Sequence, residues 1–581
     1  MTKLHKQMKK TALTILMTAI AAVCAHAQTA YDAWMFSENN YEGTARSVAM
    51  GNAFTALGGD LGAVSINPAG SAVAGYSQMA ITPSLTFSTN TAVGVPYEGS
   101  TNPYFQNKMR SNMTRGGLPN IGFSFKFDTG RTSGVKAFTF SFVANQTNSW
   151  CEDVYAKGTN SETSFLAAAA ADAQDELELM TQNKADDEAD FTTKDYLADN
   201  AFDYMNWKDV VGYRSSMFSA INAEGTKLAG ATELVYEGGN HALGGVLSQT
   251  YGRSITGSKY EYLLNFGANI SDFVYVGLNL GMSTLDYGYS HYFKESPYNE
   301  VGDFENIFID KNGVEHVTYF NGATYKYNYS AEGSGVFAKL GVIVAPGNGL
   351  RVGAAIQTPT ATTIEEEWQE SAETKFTDSS FDGWANSDIG RYSYTYRSPW
   401  RANFGLAYTL GRVAVLSADY EMAAFGTMKY KFDRYNMSSS DVEYFEALNS
   451  EIKDTYGTAH HLRVGAEVKP TSAWTLRAGY NLSSSAQIKE MVFDKDTEKY
   501  VYMPIDRTLR HNVSLGSGYS SPGSFFLDFA ARYTFAPNEY ILPYSDYLVT
   551  EVNGVLTGPL SPEILNIHRN LKVLLTLGWR F

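Results

Sequence analysis

The chain has 581 residues, with 61 acidic against 45 basic side chains and a net charge of −16. Such a balance makes nucleic acid a poor partner, and two cysteines cannot staple a disulfide scaffold of this size. Tyrosine (39), phenylalanine (33) and glycine (51) are abundant while proline (16) is scarce, a composition of strands and interfacial aromatics.

Residues 1–27 read as a secretory signal peptide. Lys3, Lys6, Lys9 and Lys10 precede an apolar stretch, and Ala25-His26-Ala27 offers a small-residue cleavage site before Gln28. Cys24 follows Val23 rather than a small residue, which argues against a lipoprotein anchor. Removing the segment takes four lysines and leaves Cys151 as the only cysteine, so the net charge falls from −16 to −20. No later apolar run approaches the ~20 residues a spanning helix needs. A closed barrel, whose strands cross with about 9–11 residues, is the remaining way to span a membrane.

Residues 28–76 precede the first strand and are rich in small side chains. Ala45, Val48, Ala49 and Ala53 share a short helical face, Gly51, Gly58, Gly59 and Gly62 permit close approach, and Asn67-Pro68 forms a turn before Ala69 and Gly70. This segment is either a plug inside a lumen or a periplasmic tail; the bore of a large barrel favours the plug.

From residue 77 onward the hydrophobic period is two. Alternation at 79–87, 120–128, 137–145, 259–270, 275–284, 323–346, 350–358, 392–410, 412–422, 460–470, 474–483, 510–519, 524–535 and 571–581 predicts fourteen strands. Six of the connections are short and seven long, in strict alternation. An even strand count with loops sorted by parity describes an outer-membrane antiparallel barrel over 77–581. The largest loop, 149–256, carries a helical stretch in which Phe165, Leu166, Trp207 and Phe218 are candidates to line a ligand groove or to form a small loop core. Its acids, fourteen against three lysines over 152–203, read as a solvated outer face rather than a metal site. His460 and His461 are adjacent on a strand and point to opposite faces, so they do not share one ion. No nucleophile triad, HExxH or phosphate loop occurs, so no enzyme activity, cofactor or metal is expected. The final strand, ending on Trp579 and Phe581, is expected to close the barrel against the first and to present the aromatic terminus that barrel-assembly machinery reads.

The run "ARSVAMGNAFTAL", followed by "GAVSINPAG" and a barrel, resembles the FadL/TodX family of outer-membrane transporters for hydrophobic compounds. The resemblance implies a fourteen-stranded barrel plugged by an N-terminal hatch. Asn67, Pro68 and Ala69 match the family's Asn-Pro-Ala motif, and Gly51 and Ala53 its upstream small residues. It further implies passive transport in the outer membrane of a Gram-negative bacterium. A fatty-acid-like or aromatic ligand enters between outer loops, rests beside the hatch and leaves sideways into outer-membrane lipid. A barrel that carries secreted proteins, as in type IX secretion, is the alternative; a general porin is disfavoured by the plug.

Overall fold

The computed structural model describes residues 29–581 apart from 97–103, 185–188, 237–239, 310–313, 433–436, 495–498, 549, 553–554 and 558. The expected signal peptide, 1–27, lies outside the described residues.

Within them a single antiparallel sheet closes on itself through fourteen strands. They are β1 (Gln78–Gly94), β2 (Met109–Asp128), β3 (Val135–Asn160), β4 (Leu247–Ile270), β5 (Val274–Pro297), β6 (Glu315–Gly347), β7 (Leu350–Gln357 and Ala361–Phe376), β8 (Gly390–Arg397 and Trp400–Leu410), β9 (Ala414–Ala424), β10 (Thr458–Val468), β11 (Trp474–Ser484), β12 (Leu509–Ser520), β13 (Phe525–Phe535) and β14 (Ile564–Arg580). Each pairs with its neighbours in sequence, and β14 returns to β1 from Gln78↔Arg580 to Gly94↔Ile564. All fourteen expected strands are present, and the short and long connections alternate as predicted.

The outer face explains why these segments are strands. Leu85, Phe87, Ile121, Phe125, Phe138, Leu264, Phe266, Leu340, Leu406, Leu416, Val464 and Leu515 point outward and are exposed. In water this would be a liability; around a closed barrel it is the band that meets lipid hydrocarbon. The fold is therefore that of an outer-membrane protein.

Several strands run far past that band. β6 holds 33 residues, a contour of roughly 110 Å at ~3.3 Å per residue, whereas β10, β11 and β13 hold 11 each. The barrel is thus a tall wall on the β3–β8 side and a low rim on the β10–β13 side. The expected loop 149–256 shrinks to 161–246, because β3 and β4 stay paired up to Asn160↔Leu247. Above the bilayer both faces of the strands meet polar surroundings, so the alternation that marks a strand in sequence fades while the ladder continues. Pro359 and Pro399, which cannot donate to a ladder, interrupt β7 and β8 at one level.

The insert at 161–246 forms a cap inside the tall wall. It carries α-helices Phe165–Asn183, Thr193–Tyr196 and Trp207–Arg214. Their apolar faces bury Leu166, Leu177 and Val210, with Phe218 just beyond the third helix, in one core with Phe293, Phe320, Tyr325 and Phe376 of the wall. Glu295 of β5 fastens the start of the first of these helices. Its carboxylate accepts from the backbone N–H of Phe165 (2.7 Å), Ser164 Oγ (2.8 Å) and Gln249 Nε2 (2.7 Å). A carboxylate at a helix N-terminus satisfies orphan N–H groups and complements the helix dipole. Glu295→Ala is expected to loosen the cap by on the order of 2 kcal/mol. Limited proteolysis should then clip the cap faster while the barrel keeps its heat-modifiable migration.

Candidate functional site

Residues 30–74 precede β1 and pack against inward-facing positions of the strands. The segment contains α1 (Ala30–Ser37), α2 (Ala45–Ala49), a 3-10 turn at Gly62–Ser65 and α3 (Gly70–Val73). Its backbone meets a belt of wall glycines. A Cβ placed on Gly341 would lie 1.9 Å from Asn67 Oδ1, and one on Gly277 2.3 Å from the carbonyl carbon of Pro68. On Gly353 it would lie 2.1 Å from Thr55 O, and on Gly479 2.1 Å from Gly51 N. The glycines are neighbours in register: Gly267 faces Gly277, Gly277 faces Gly341, Gly353 faces Gly405, and Gly465 faces Gly479. No other residue type admits backbone at these separations.

Polar groups complete the seating. Asn67 is wholly buried; its Nδ2 donates to Thr55 O (2.7 Å) and Val342 O (3.2 Å), and its Oδ1 accepts from Ala69 N (3.0 Å). Three wall asparagines reach inward: Asn265 to Pro68 O (3.0 Å), Asn279 to Val64 O (2.8 Å) and Asn145 to Ser65 Oγ (2.7 Å). Arg46 pairs with Glu467 at 2.9 Å, which also holds Arg477 at 2.8 Å. Glu42 takes Lys572 and, at 3.2 Å, Arg532. Removing one partner from such buried pairs costs about 3–5 kcal/mol.

The motif residues read from sequence converge here. Gly51, Gly58 and Gly59 have φ of 63°, 62° and 72°, the left-handed region. Gly58 lies against Gly70, and Gly59 N donates to Gly70 O at 2.8 Å. Ala53, Asn67, Pro68 and Ala69 are buried between this turn and the wall. Higher up, α1 rests among aromatics: Trp34 stacks on Tyr456 (6.3 Å), and Phe36 meets Tyr287 edge-on (5.6 Å).

Between the loop after α1 and strands β1, β3, β4, β12, β13 and β14 lies a cavity of about 140 Å³. Glu38, Glu42, Trp150, Arg510, Arg532 and Lys572 are among its lining. Beside it the wall is split. β2 and β3 pair only from Asn120↔Asn145 to Asp128↔Ala137; above that level 109–119 of β2 face β3 without a ladder. Side chains bridge the slot instead: Arg115 Nη1 donates to Trp150 O and Gly257 O (both 3.0 Å), and Ser111 Oγ to Asp153 O. The slot starts at Pro119, and Pro83 sits where the β1–β2 register shifts. Leu85 and Phe87, exposed to lipid, pair with Gly116 and Thr114 on the slot's edge, so its lower part opens within the apolar band.

Other expected sites fall elsewhere. Phe165, Leu166 and Phe218 are buried in the cap core, and Trp207 packs between Phe202 (5.3 Å) and Trp368 of the wall (5.5 Å). Their apolar faces are spent on packing in the loop core, the second of the two arrangements open to them in the sequence. His460 lies exposed against Tyr420 and His461 points inward to Ser483, opposite faces as expected. The acids at 152–203 are not uniformly solvated: Glu152 pairs with Arg253, and Asp172 with Lys208 at 2.7 Å. Phe581 completes the closing ladder with Ser77, N to O at 3.0 Å, and its exposed ring nears Phe125 (6.0 Å); Trp579 meets Phe525 (5.6 Å). Sequence reasoning missed the glycine belt and the slot. Their signals are a glycine recurring mid-strand in "NFGAN", "KLGVI", "RVGAA" and "RAGYN", and prolines 83 and 119 within strands.

The fold and site define a membrane-spanning barrel whose bore holds its own N-terminal segment. No family description matches the sequence, and no curated protein matches it. Among solved structures it is similar to a Pseudomonas aeruginosa FadL homologue, at 12% identity over 94% of this chain and 99% of that one, TM-score 0.47. It is also similar to the Pseudomonas putida toluene transporter TodX (12%, 94% and 100%, TM-score 0.43) and to the CymD monoaromatic hydrocarbon channel (9%, 93% and 97%, TM-score 0.40).

Gly341→Ala should overpack the contact with Asn67, costing about 1–3 kcal/mol. The expected outcome is an intact barrel with a raised planar-bilayer conductance, as the N-terminal segment leaves its seat.

Proposed function

We propose that the chain carries hydrophobic small molecules passively across the outer membrane, with residues 28–76 acting as a hatch and the β2–β3 slot as the exit. The slot carries this reading. Trp150 both lines the inner cavity and takes the Arg115 bridge across the slot, so a molecule leaving there once the bridge parts enters hydrocarbon rather than the periplasm. Only a solute that partitions into lipid gains from that route. The hatch-like sequence at 43–70 supports the same function. A cavity of about 140 Å³ is close to the ~150 Å³ that accommodates a benzene-sized guest, so it holds one end of a longer molecule. Arg510 is paired with Glu38 and Arg532 and Lys572 with Glu42, and Glu152 also lines the cavity, so its polar lining suits a guest with a hydrogen-bonding end over a bare hydrocarbon. The protein's part is to bind, orient and release; no bond is made or broken.

Reconstituted protein should speed delivery of a fluorescent long-chain fatty acid into liposome membranes while passing sugars and ions poorly. Arg115→Ala, which removes two of the slot's bridges, is expected to raise that delivery severalfold. Rapid sugar permeation without fatty-acid delivery would replace this function with that of a general pore.

A further inference from the structure

The cap meets the wall along a seam in which negative charge outweighs positive. The first cap helix brings Asp172, with Glu176 held inside the cap; the third brings Lys208 and Asp209, and upper β7 presents Glu370. Lys208 Nζ is spent on Asp172 Oδ2 at 2.7 Å, and Ser545 Oγ donates to the other oxygen at 2.8 Å. Glu176 accepts from Asn206 N (2.6 Å) and Tyr196 OH (3.1 Å), and Glu370 from Tyr325 OH (2.8 Å). Asp209 is 3% exposed, and its Oδ1 has no hydrogen-bond partner. Among the described residues, Glu176, Asp209 and Glu370 make no ion pair. The other titratable groups turned to the seam are Tyr196 on the cap and Tyr325, Tyr327 and His291 on the wall. None of them supplies a cation: the tyrosines are neutral, and burial with nearby Arg253 and Lys208 holds His291 down to about 4.

Asp209 and Glu370 cannot both stay ionised in a closed seam whose one lysine is already engaged. We propose that the cap is a proton-operated lid, shut when the carboxyls of Asp209 and Glu370 carry protons and parted from the wall when they ionise. The lid does not depend on which molecule the barrel carries. Burial pushes both groups above the usual carboxylate range, Glu370 to about 7. Groups raised in the closed form bind protons on closing. Closure is therefore complete in acid and is lost as pH climbs through neutrality, the closed-to-open ratio falling about tenfold per pH unit for each proton released. Trp207 and Trp368, 5.5 Å apart across the seam, would separate on opening.

The test uses the full chain in lipid nanodiscs, with the buried Cys151 replaced by serine. Spin labels go on exposed Leu197→Cys of the cap and Lys326→Cys of the wall, and distances are measured by double electron–electron resonance from pH 5 to 8.5. One short distance is expected at pH 5, and a longer population should grow through neutrality. D209N/E370Q, which keeps the shapes but cannot ionise there, should stay short to at least one pH unit higher; if the pair fails the heat-modifiability check, E370Q alone should move the same way. K208M, which strands Asp172, should open at least one unit lower. Identical distributions across the range, or a D209N/E370Q or E370Q protein that opens as the parent does, would overturn the lid.

Discussion

Backbone against backbone is the contact on which the rest of the molecule depends. The N-terminal segment does not merely fill the bore; it touches the wall where the wall has no side chains. Gly277, Gly341, Gly353 and Gly479 let a carbonyl, an amide or an asparagine oxygen approach to separations that a methyl group would forbid. Such an interface is a matter of shape rather than of apolar area, so it stays tight in a lumen whose surroundings are charged. Arg46, Glu42 and the wall asparagines then satisfy the polar groups that close approach removes from water.

With that floor in place, the lumen is bounded on every side by a different kind of force. Hydrocarbon holds the outer face, dense packing holds the cap, and fixed polar contacts hold the base. The β2–β3 slot is the exception, because there side chains stand in for a ladder. Arg115 and Ser111 donate to carbonyls, but a side chain changes rotamer at far lower cost than a sheet unzips. The most easily altered part of the wall lies next to the luminal cavity and at the level of lipid.

The barrel was largely legible because lipid imposes a simple rule on sequence. Outward residues such as Leu264, Phe266 and Leu340 must be apolar, and the alternation announces each strand. That rule lapses above the membrane, where Arg110 and Asn112 face outward on β2; strands there look like loops, and the cap looked larger than it is. The glycines of the belt are visible as letters, but which of them meet a backbone depends on register between distant strands. Acids such as Glu176 read as solvated because their neighbours in sequence are acidic, whereas Tyr196 and Asn206, twenty and thirty residues on, fold back to enclose it. The N-terminal motif residues were readable for the opposite reason: Gly51, Gly58, Asn67 and Pro68 lie within one short stretch of chain.

The closing ladder joins Gln78 to Arg580, so the first strand of the barrel waits for the last to be synthesised. The segment just ahead of that strand is bound through Arg46 to β10 and through Glu42 to β13 and β14. Its seat therefore does not exist until almost the whole chain has emerged. Contacts of such long sequence separation form late and slowly. Sealing the ring and lodging its contents become one event in the life of the polypeptide, and an order of assembly is written into where the two ends of the chain meet.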